Sequence, residues 1–204
     1  VKSVEFGLAR EIISRECYFS EFTPTFSRWE TVIDLGANTG VFTMLAASKS
    51  KKTIAVEAQQ KFKHRIQQNA QKNKFNNVEI ESSIVTHGSG PPCYPEKLQR
   101  ISKETDGEID SITMIDIFNK YSIDRVDFLK IDIEGSEFSL FDDSSWLDKV
   151  EQIGMEVHPS YGDPFTIQDI LEKNGFRTSI LNNDLEPLSN IGSEPCYIQA
   201  KYIE

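Results

Sequence analysis

The sequence predicts an α/β fold built on a doubly wound, mostly parallel sheet. Short β-rich runs alternate with stretches of helical periodicity along most of the 204 residues, a pattern typical of β-α-β units. These units connect in a right-handed sense and produce parallel strands. The run 127–133 is apolar through its middle except for Lys130, which suits a strand covered on both faces. A chain of this length can bury the core of one domain.

A turn with two glycines follows the first predicted strand. The β-branched run 32–35 leads through Gly36 and Gly40 into a helix, whose apolar positions 41, 44 and 45 have helical spacing. Glycine at position 36 permits a sharp turn and lets a ligand approach the backbone. The start of the helix then offers backbone N–H groups that have no partner within the helix.

The spacing of this turn indicates which ligand it suits. Turns that bind dinucleotides carry three glycines as G-x-G-x-x-G, whereas here the order is Asp34-x-Gly36-x-Asn38-x-Gly40. Pyrophosphate is therefore a poor fit. An acid at the strand end suits a ligand with positive charge, such as the amino acid end of S-adenosylmethionine. An ordinary connection between strand and helix remains the alternative.

A second acid supports a nucleoside ligand. The short β-rich run 53–57 ends in Glu57, about where β-α-β units hold a ribose 2′-hydroxyl. Alone, Glu57 could simply be a solvated strand end. Because Asp34 and Glu57 lie at the separation of neighbouring strands in such a unit, together they favour a nucleoside.

The remaining elements follow in order along the chain. A helix is predicted at 59–73, a third strand at 78–85 and a loop with several prolines and glycines at 86–110. Thr113 and Asp116 resemble a capping box at the start of the next helix. The fourth and fifth strands are predicted at 127–133 and 150–157. Asp163 and Pro164 mark the start of a last helix, and strands at 176–181 and 196–203 end the chain.

The start of the chain is predicted to be an extension packed on the main domain. Apolar residues recur at helical spacing within 2–15, and an aromatic-rich stretch interrupted by Pro24 follows. We therefore divide the chain into an N-terminal extension, 1–30, and a main domain, 31–204.

Four blocks of sequence closely resemble the FkbM family of methyltransferases: 34–40 (DLGANTG), 56–58 (VEA), 126–137 (VDFLKIDIEGSE) and 155–159 (MEVHP). The third block is the most specific. The resemblance extends from about Thr31 to Phe176, and it implies a Rossmann-like class I methyltransferase with a seven-stranded sheet and S-adenosyl-L-methionine as cofactor. Alanine follows Glu57 where the family usually has proline, and the segment 86–110 matches no known pattern, so the resemblance leaves the substrate open.

The chemistry is predicted at one edge of the sheet. Ligands of open parallel sheets bind at the carboxyl ends of the strands, where the strand order reverses. The residues expected to bind the cofactor are Asp34, Gly36, Asn38, Gly40, Glu57 and Asp132. His158 is the candidate base, because an imidazole with a pKa of ~6.5 is half deprotonated near neutrality. Asp132 and Glu134 would orient the hydroxyl or the histidine.

The predicted function is methylation of a hydroxyl oxygen on a small molecule or sugar, which the family resemblance implies. Two alternatives stay open: a nucleotide-dependent oxidoreductase on a similar fold, and a cofactor-binding domain without activity. A divalent metal held by Asp132, Glu134, Glu156 and His158 is a further alternative. The sequence contains no tight ligand motif such as H-E-x-x-H, so no metal is predicted.

Composition argues against nucleic acid and membranes as partners, and the family resemblance implies a small-molecule or carbohydrate acceptor. The formal net charge of −10 repels nucleic acid, and the basic cluster 49–52 suits the end of a helix. The three cysteines are too far apart for a metal motif and are expected to be reduced. No apolar run reaches ~18 residues and no secretory pattern begins the sequence, so no membrane contact and a cytoplasmic location are expected.

Overall fold

The computed structural model describes residues 12, 15–18, 28–88, 110–188, 190 and 192–203. The first half of the main sheet and its helices are β1 (Trp29–Leu35), α1 (Val41–Ala47), β2 (Ser50–Val56), α2 (Gln60–Lys72) and β3 (Val78–Glu81). β4 (Ile84–Thr86), β5 (Ser111–Thr113) and α3 (Met114–Tyr121) follow. The second half comprises β6 (Phe128–Ile131), α4 (Glu137–Leu140), β7 (Gln152–Val157), α5 (Pro164–Lys173), β8 (Phe176–Leu181) and β9 (Cys196–Tyr202), with short 3₁₀ turns at Leu147–Lys149 and Pro159–Tyr161.

The main sheet has seven strands in the order β3-β2-β1-β6-β7-β9-β8. The strands from β3 to β7 are parallel, and β9 pairs antiparallel with both β7 and β8. This confirms the predicted doubly wound, mostly parallel α/β fold of the Rossmann-like class I methyltransferase type. The chain builds outward from β1 in one direction and then in the other, so the order reverses between β1 and β6.

Two helix starts have the predicted chemistry. At α3 the Thr113 hydroxyl accepts the backbone N–H of Asp116, while the Asp116 carboxylate accepts the backbone N–H of Thr113. At α5 the Asp163 carboxylate accepts the backbone N–H of Phe165, and Pro164 takes the first helical position. Both arrangements satisfy N–H groups that a helix leaves without an internal partner.

The prediction of one third strand at 78–85 is wrong, because the chain divides there into β3 and β4. The break falls at Ser82 and Ser83, where the Ser83 hydroxyl donates to the Glu81 carboxylate over 2.7 Å. Lys120 and Tyr121 of α3 donate to the other oxygen of Glu81. These bonds hold the end of β3 against α3, and β4 instead pairs with β5 in a separate two-stranded sheet. The short helix α4 is a second element that periodicity did not predict.

The described part of the predicted extension packs against the main sheet. Tyr18 is 4% exposed and lies edge-on to Phe42 and Tyr197. The backbone carbonyl of Cys17 accepts the side-chain amide of Gln199 on β9 over 2.8 Å. The predicted helix at 2–15, apart from residues 12 and 15, lies outside the described residues, as does the segment 89–109. Among those described, no helix is long and apolar enough to cross a membrane.

Candidate active site

Gly36 brings the ends of β1 and β6 into direct contact. Its backbone has φ +73°, and a Cβ at this position would lie 1.7 Å from the carbonyl oxygen of Asp132. A side chain here would therefore both strain the turn and collide with the backbone that follows β6. β1 and β6 flank the point where the strand order reverses. The missing side chain of Gly36 therefore lets the ends of these two strands meet where a ligand is expected to bind.

A buried ion pair supports this turn from below. Asp34 is fully buried, and its carboxylate accepts the Thr43 hydroxyl at 2.6 Å and lies 3.2 Å from the Lys130 ammonium. Lys130 also donates to the carbonyl of Gly36 over 2.9 Å and lies 3.5 Å from the Asp132 carboxylate. Burial alone would lower the pKa of Lys130, but these two carboxylates raise it above its usual value.

Glu57 forms the opposite side of the same turn. Its carboxylate is largely buried and accepts the backbone N–H groups of Asn38 and Gln59, each over 2.8 Å. Burial raises the pKa of Glu57, although these two hydrogen bonds act to lower it. Asn38 itself has φ +50°, a left-handed conformation that asparagine tolerates better than most residues.

A cavity of about 270 Å³ opens above the ends of these strands. This volume is just below the usual range for ligand pockets, about 300–1,000 Å³. Polar groups of Gly36, Asn38 and Glu57 line one side, and Asp132 and Glu134 line another. The walls between them are apolar and come from Val56, Ile84, Val85 and Ile133. Apolar walls beside a partly buried acid fit the purine and ribose of an adenosyl group.

The loop after β6 has a strained backbone. Glu134 has φ +56° and Gly135 has φ +98°, and left-handed conformations of residues other than glycine are concentrated at functional sites. The Glu137 carboxylate stabilises the loop by accepting the backbone N–H groups of Gly135 over 3.0 Å and Ile133 over 3.3 Å. Half of the Glu134 side chain is left exposed.

His158 follows β7 and faces this loop. Its Nδ1 lies 3.2 Å from Oε1 of Glu137, and its Nε2 lies 4.0 Å from Oε2 of Glu134. Burial alone would lower the pKa of His158, but the hydrogen bond and charge of Glu137 raise it above its usual value. Glu134 lines the cavity and His158 adjoins it through Glu134.

Tyr18 and Glu137, which the sequence did not place in the site, also contact it. Tyr18 donates its hydroxyl to the Asp132 carboxylate over 3.3 Å, and burial followed by the charge of Asp132 raises the pKa of this tyrosine. Glu137 contacts both the loop and His158. The sequence signal for Glu137 was its place in the block 126–137, which did not show that this acid is buried. For Tyr18, the sequence signal was only its place in an aromatic-rich stretch.

The structure gathers most of the predicted residues around the cavity. Gly36, Asn38, Glu57, Asp132 and Glu134 line it. Asp34 and Gly40 do not, because Asp34 is buried against Lys130 and Gly40 packs on Ile66 at the start of α1. In the described part of the chain, no three His, Cys, Asp or Glu side chains form a group that could hold a metal ion.

The model of the Methyltransferase FkbM domain matches residues 34–178. The chain belongs to the FkbM methyltransferase family. This confirms the resemblance found in the sequence, and it places the chain among S-adenosylmethionine-dependent methyltransferases by family and fold. The oxidoreductase alternative is correspondingly disfavoured.

Three solved structures have the same fold at low sequence identity. An FkbM methyltransferase from Methylobacillus flagellatus is 17% identical, with a TM-score of 0.60 over 89% of this chain and 46% of that one. A Streptococcus mutans protein in complex with SAH is 12% identical, with a TM-score of 0.57 over 97% of both chains. An rRNA methylase from Streptococcus thermophilus is 13% identical, with a TM-score of 0.56 over 88% and 90%. No curated protein matches this FkbM chain significantly.

Proposed function

We propose that this FkbM family member transfers the methyl group of S-adenosylmethionine to a hydroxyl oxygen of a small molecule or sugar, with His158 as the general base. The observation that carries this proposal is the position of His158, whose Nε2 lies 4.0 Å from a carboxylate that lines the cavity. The Streptococcus mutans structure with SAH supports the choice of cofactor.

The residues around the cavity fit this cofactor. Glu57 would accept the ribose hydroxyls with the lone pairs that Asn38 and Gln59 leave available, and the apolar walls would enclose the adenine. The backbone at Gly36 would lie against the amino acid end. Asp34 and Gly40 would act indirectly by shaping the turn, and Asp132 would hold the ammonium group from the other side.

When bound, S-adenosylmethionine supplies a methyl carbon on a positively charged sulfur, and its carbon–sulfur bond breaks as the new oxygen–carbon bond forms. Alignment of the acceptor with that carbon supplies much of the rate. His158 takes the hydroxyl proton at Nε2. Asp132 and Glu134 accept hydrogen bonds from the acceptor and so orient it.

Charge at the rim supports a small, neutral acceptor over RNA. Glu134 is half exposed and Asp132 is partly exposed, and these two carboxylates line the cavity, where their negative charge would repel a phosphate. Only the fold is shared with the rRNA methylase, at 13% identity. RNA is therefore included among the acceptors to be tested, so that methyl transfer to it can be excluded.

Replacement of His158 by alanine tests the proposal. We expect kcat to fall by about 10²–10⁴-fold, because general base catalysis contributes that much, while calorimetry gives an unchanged affinity for S-adenosylmethionine. Turnover is measured as radiolabelled methyl transfer to a panel of glycosides, hydroxylated small molecules and ribosomal RNA. Label in RNA alone would refute the small-molecule acceptor. Cofactor binding with no transfer to any acceptor would favour the domain without activity.

A further inference from the structure

Glu137 is a fully buried carboxylate at the start of the four-residue helix α4. Buried acids are rare unless their charge is compensated. Its Oε1 accepts two backbone N–H groups and lies 3.2 Å from His158 Nδ1. Its Oε2 is buried with no hydrogen-bond partner in the described part of the chain. The contacts that compensate this carboxylate are therefore made through Oε1, by two backbone N–H groups and by His158.

We propose that Glu137 is the positioning residue for the His158 base, holding the imidazole with its proton on Nδ1 and its Nε2 lone pair available toward the cavity. This inference rests on the proposed function, which makes His158 the base. An ionised carboxylate can only accept, so the nitrogen that faces it must donate. In a neutral imidazole the other nitrogen then carries the lone pair.

The same oxygen of Glu137 also fixes the loop after β6. It accepts N–H groups from Ile133 and Gly135, which flank the left-handed residue Glu134. The ring of Tyr161 lies against Gly135 so closely that a Cβ there would come within 2.4 Å of it. The buried carboxylate of Glu137 thus positions both His158, the base after β7, and the loop that carries Glu134, the acid that lines the cavity.

Glu137 stabilises the charged form of His158 more than the other groups around the ring do. The ionisable groups that face the imidazole are Glu137 from α4, Glu134 from the loop, Asp132 after β6, Glu156 within β7 and Tyr161 from the following turn. Among the carboxylates that the structure describes, Glu137 is the one within hydrogen-bond distance of the ring. Replacement by glutamine removes its charge while keeping an oxygen that can accept from Nδ1.

The first measurement is made on the unmodified protein. Nitrogen-15 chemical shifts of the His158 ring, recorded above its titration midpoint, report which nitrogen carries the proton. We expect the form protonated at Nδ1. Protonation at Nε2 would overturn the inference, and this result does not depend on any variant folding.

The second measurement compares Glu137→Gln with Glu137→Ala. By NMR titration and by the acid limb of the kcat profile, Glu137→Gln should lower the His158 midpoint by about one pH unit or more, since an opposite charge within about 4–6 Å shifts a pKa by 1–3 units. At pH values above that midpoint Glu137→Gln should keep a higher kcat than Glu137→Ala, with KM for S-adenosylmethionine unchanged. An unmoved midpoint in folded Glu137→Gln would contradict the proposal.

Glu151→Gln is the matched control. Glu151 pairs with Arg125 just before β7, at the opposite end of that strand, and its replacement should leave the His158 midpoint in place. The two possible failures are distinguishable. Normal turnover of His158→Ala would defeat the proposed function, whereas lost turnover of His158→Ala together with an unmoved midpoint in folded Glu137→Gln would defeat only the role of Glu137.

Discussion

The two sides of the cavity stabilise their charges in different ways. On the β1–β2 side, Asp34 is neutralised by a buried lysine and Glu57 by two backbone N–H groups. On the β6–β7 side, Glu134 is half exposed, sits in a left-handed conformation, and lies near a histidine whose pKa is raised. On the first side, which we call the rigid side, these charges are compensated before any ligand arrives. The second keeps polar groups available, as an acceptor site requires.

The largest expected effect tests the rigid side. Lys130→Met would leave Asp34 buried without its cation, and breaking a buried pair in this way costs about 3–5 kcal/mol of unfolding free energy. Denaturant unfolding measures the loss. Lys72→Met, on the exposed end of α2, is the control and should change stability by no more than about 0.5 kcal/mol. A loss below about 1 kcal/mol for Lys130→Met would show that the pair does not support the turn.

The next effect tests whether the rigid side is the cofactor side. Glu57→Gln should weaken binding of S-adenosylmethionine by about 1–3 kcal/mol, the range for a hydrogen bond to a charged group. Calorimetry measures the affinity. Glu79→Gln is the control, because Glu79 is an exposed residue on the neighbouring strand β3. Unchanged affinity would remove Glu57 from the cofactor site.

The pH dependence of binding follows from the same residue. Burial raises the pKa of Glu57, so its ionised form is lost at a higher pH than for a free glutamate. Affinity of the unmodified protein should therefore fall as pH decreases through this raised pKa, and Glu57→Gln should abolish that step. Turnover should also rise with pH through the raised pKa of His158, because the neutral base forms there.

The sequence predicted the rigid side better than the other. The spacing of the two glycines was enough to locate Gly36. Because β1 and β2 were predicted to be parallel neighbours, Glu57 was expected beside the same turn. Asp34, however, was expected to face the ligand, and nothing in the sequence showed that Lys130, 96 residues later, would cover it. Long-range pairing of this kind depends on strand order, which periodicity does not specify.

The less predictable side depends on local geometry. Glu137 belongs to the block 126–137, which resembles the family. It is buried at the start of a four-residue helix, and a helix this short leaves no periodic pattern in the sequence. The third strand was predicted as one run at 78–85, whereas the bond between Ser83 and Glu81 lies where the strand ends. Tyr18 reaches Asp132 from 114 residues away, a contact that only the folded chain reveals.

The smallest expected effect tests whether strain on the β6–β7 side serves function. Glu134→Gly would relieve a left-handed conformation that costs about 1–2 kcal/mol for other residues, and the greater freedom of glycine in the unfolded chain offsets about 0.5–1 kcal/mol of that. We expect a net gain of about 0.5–1 kcal/mol in unfolding free energy together with lower turnover. Lys74→Gly is the matched control, since Lys74 has φ +59° in the exposed turn after α2. It should gain similar stability with turnover unchanged, so equal turnover in both variants would show that Glu134 does not act on the acceptor.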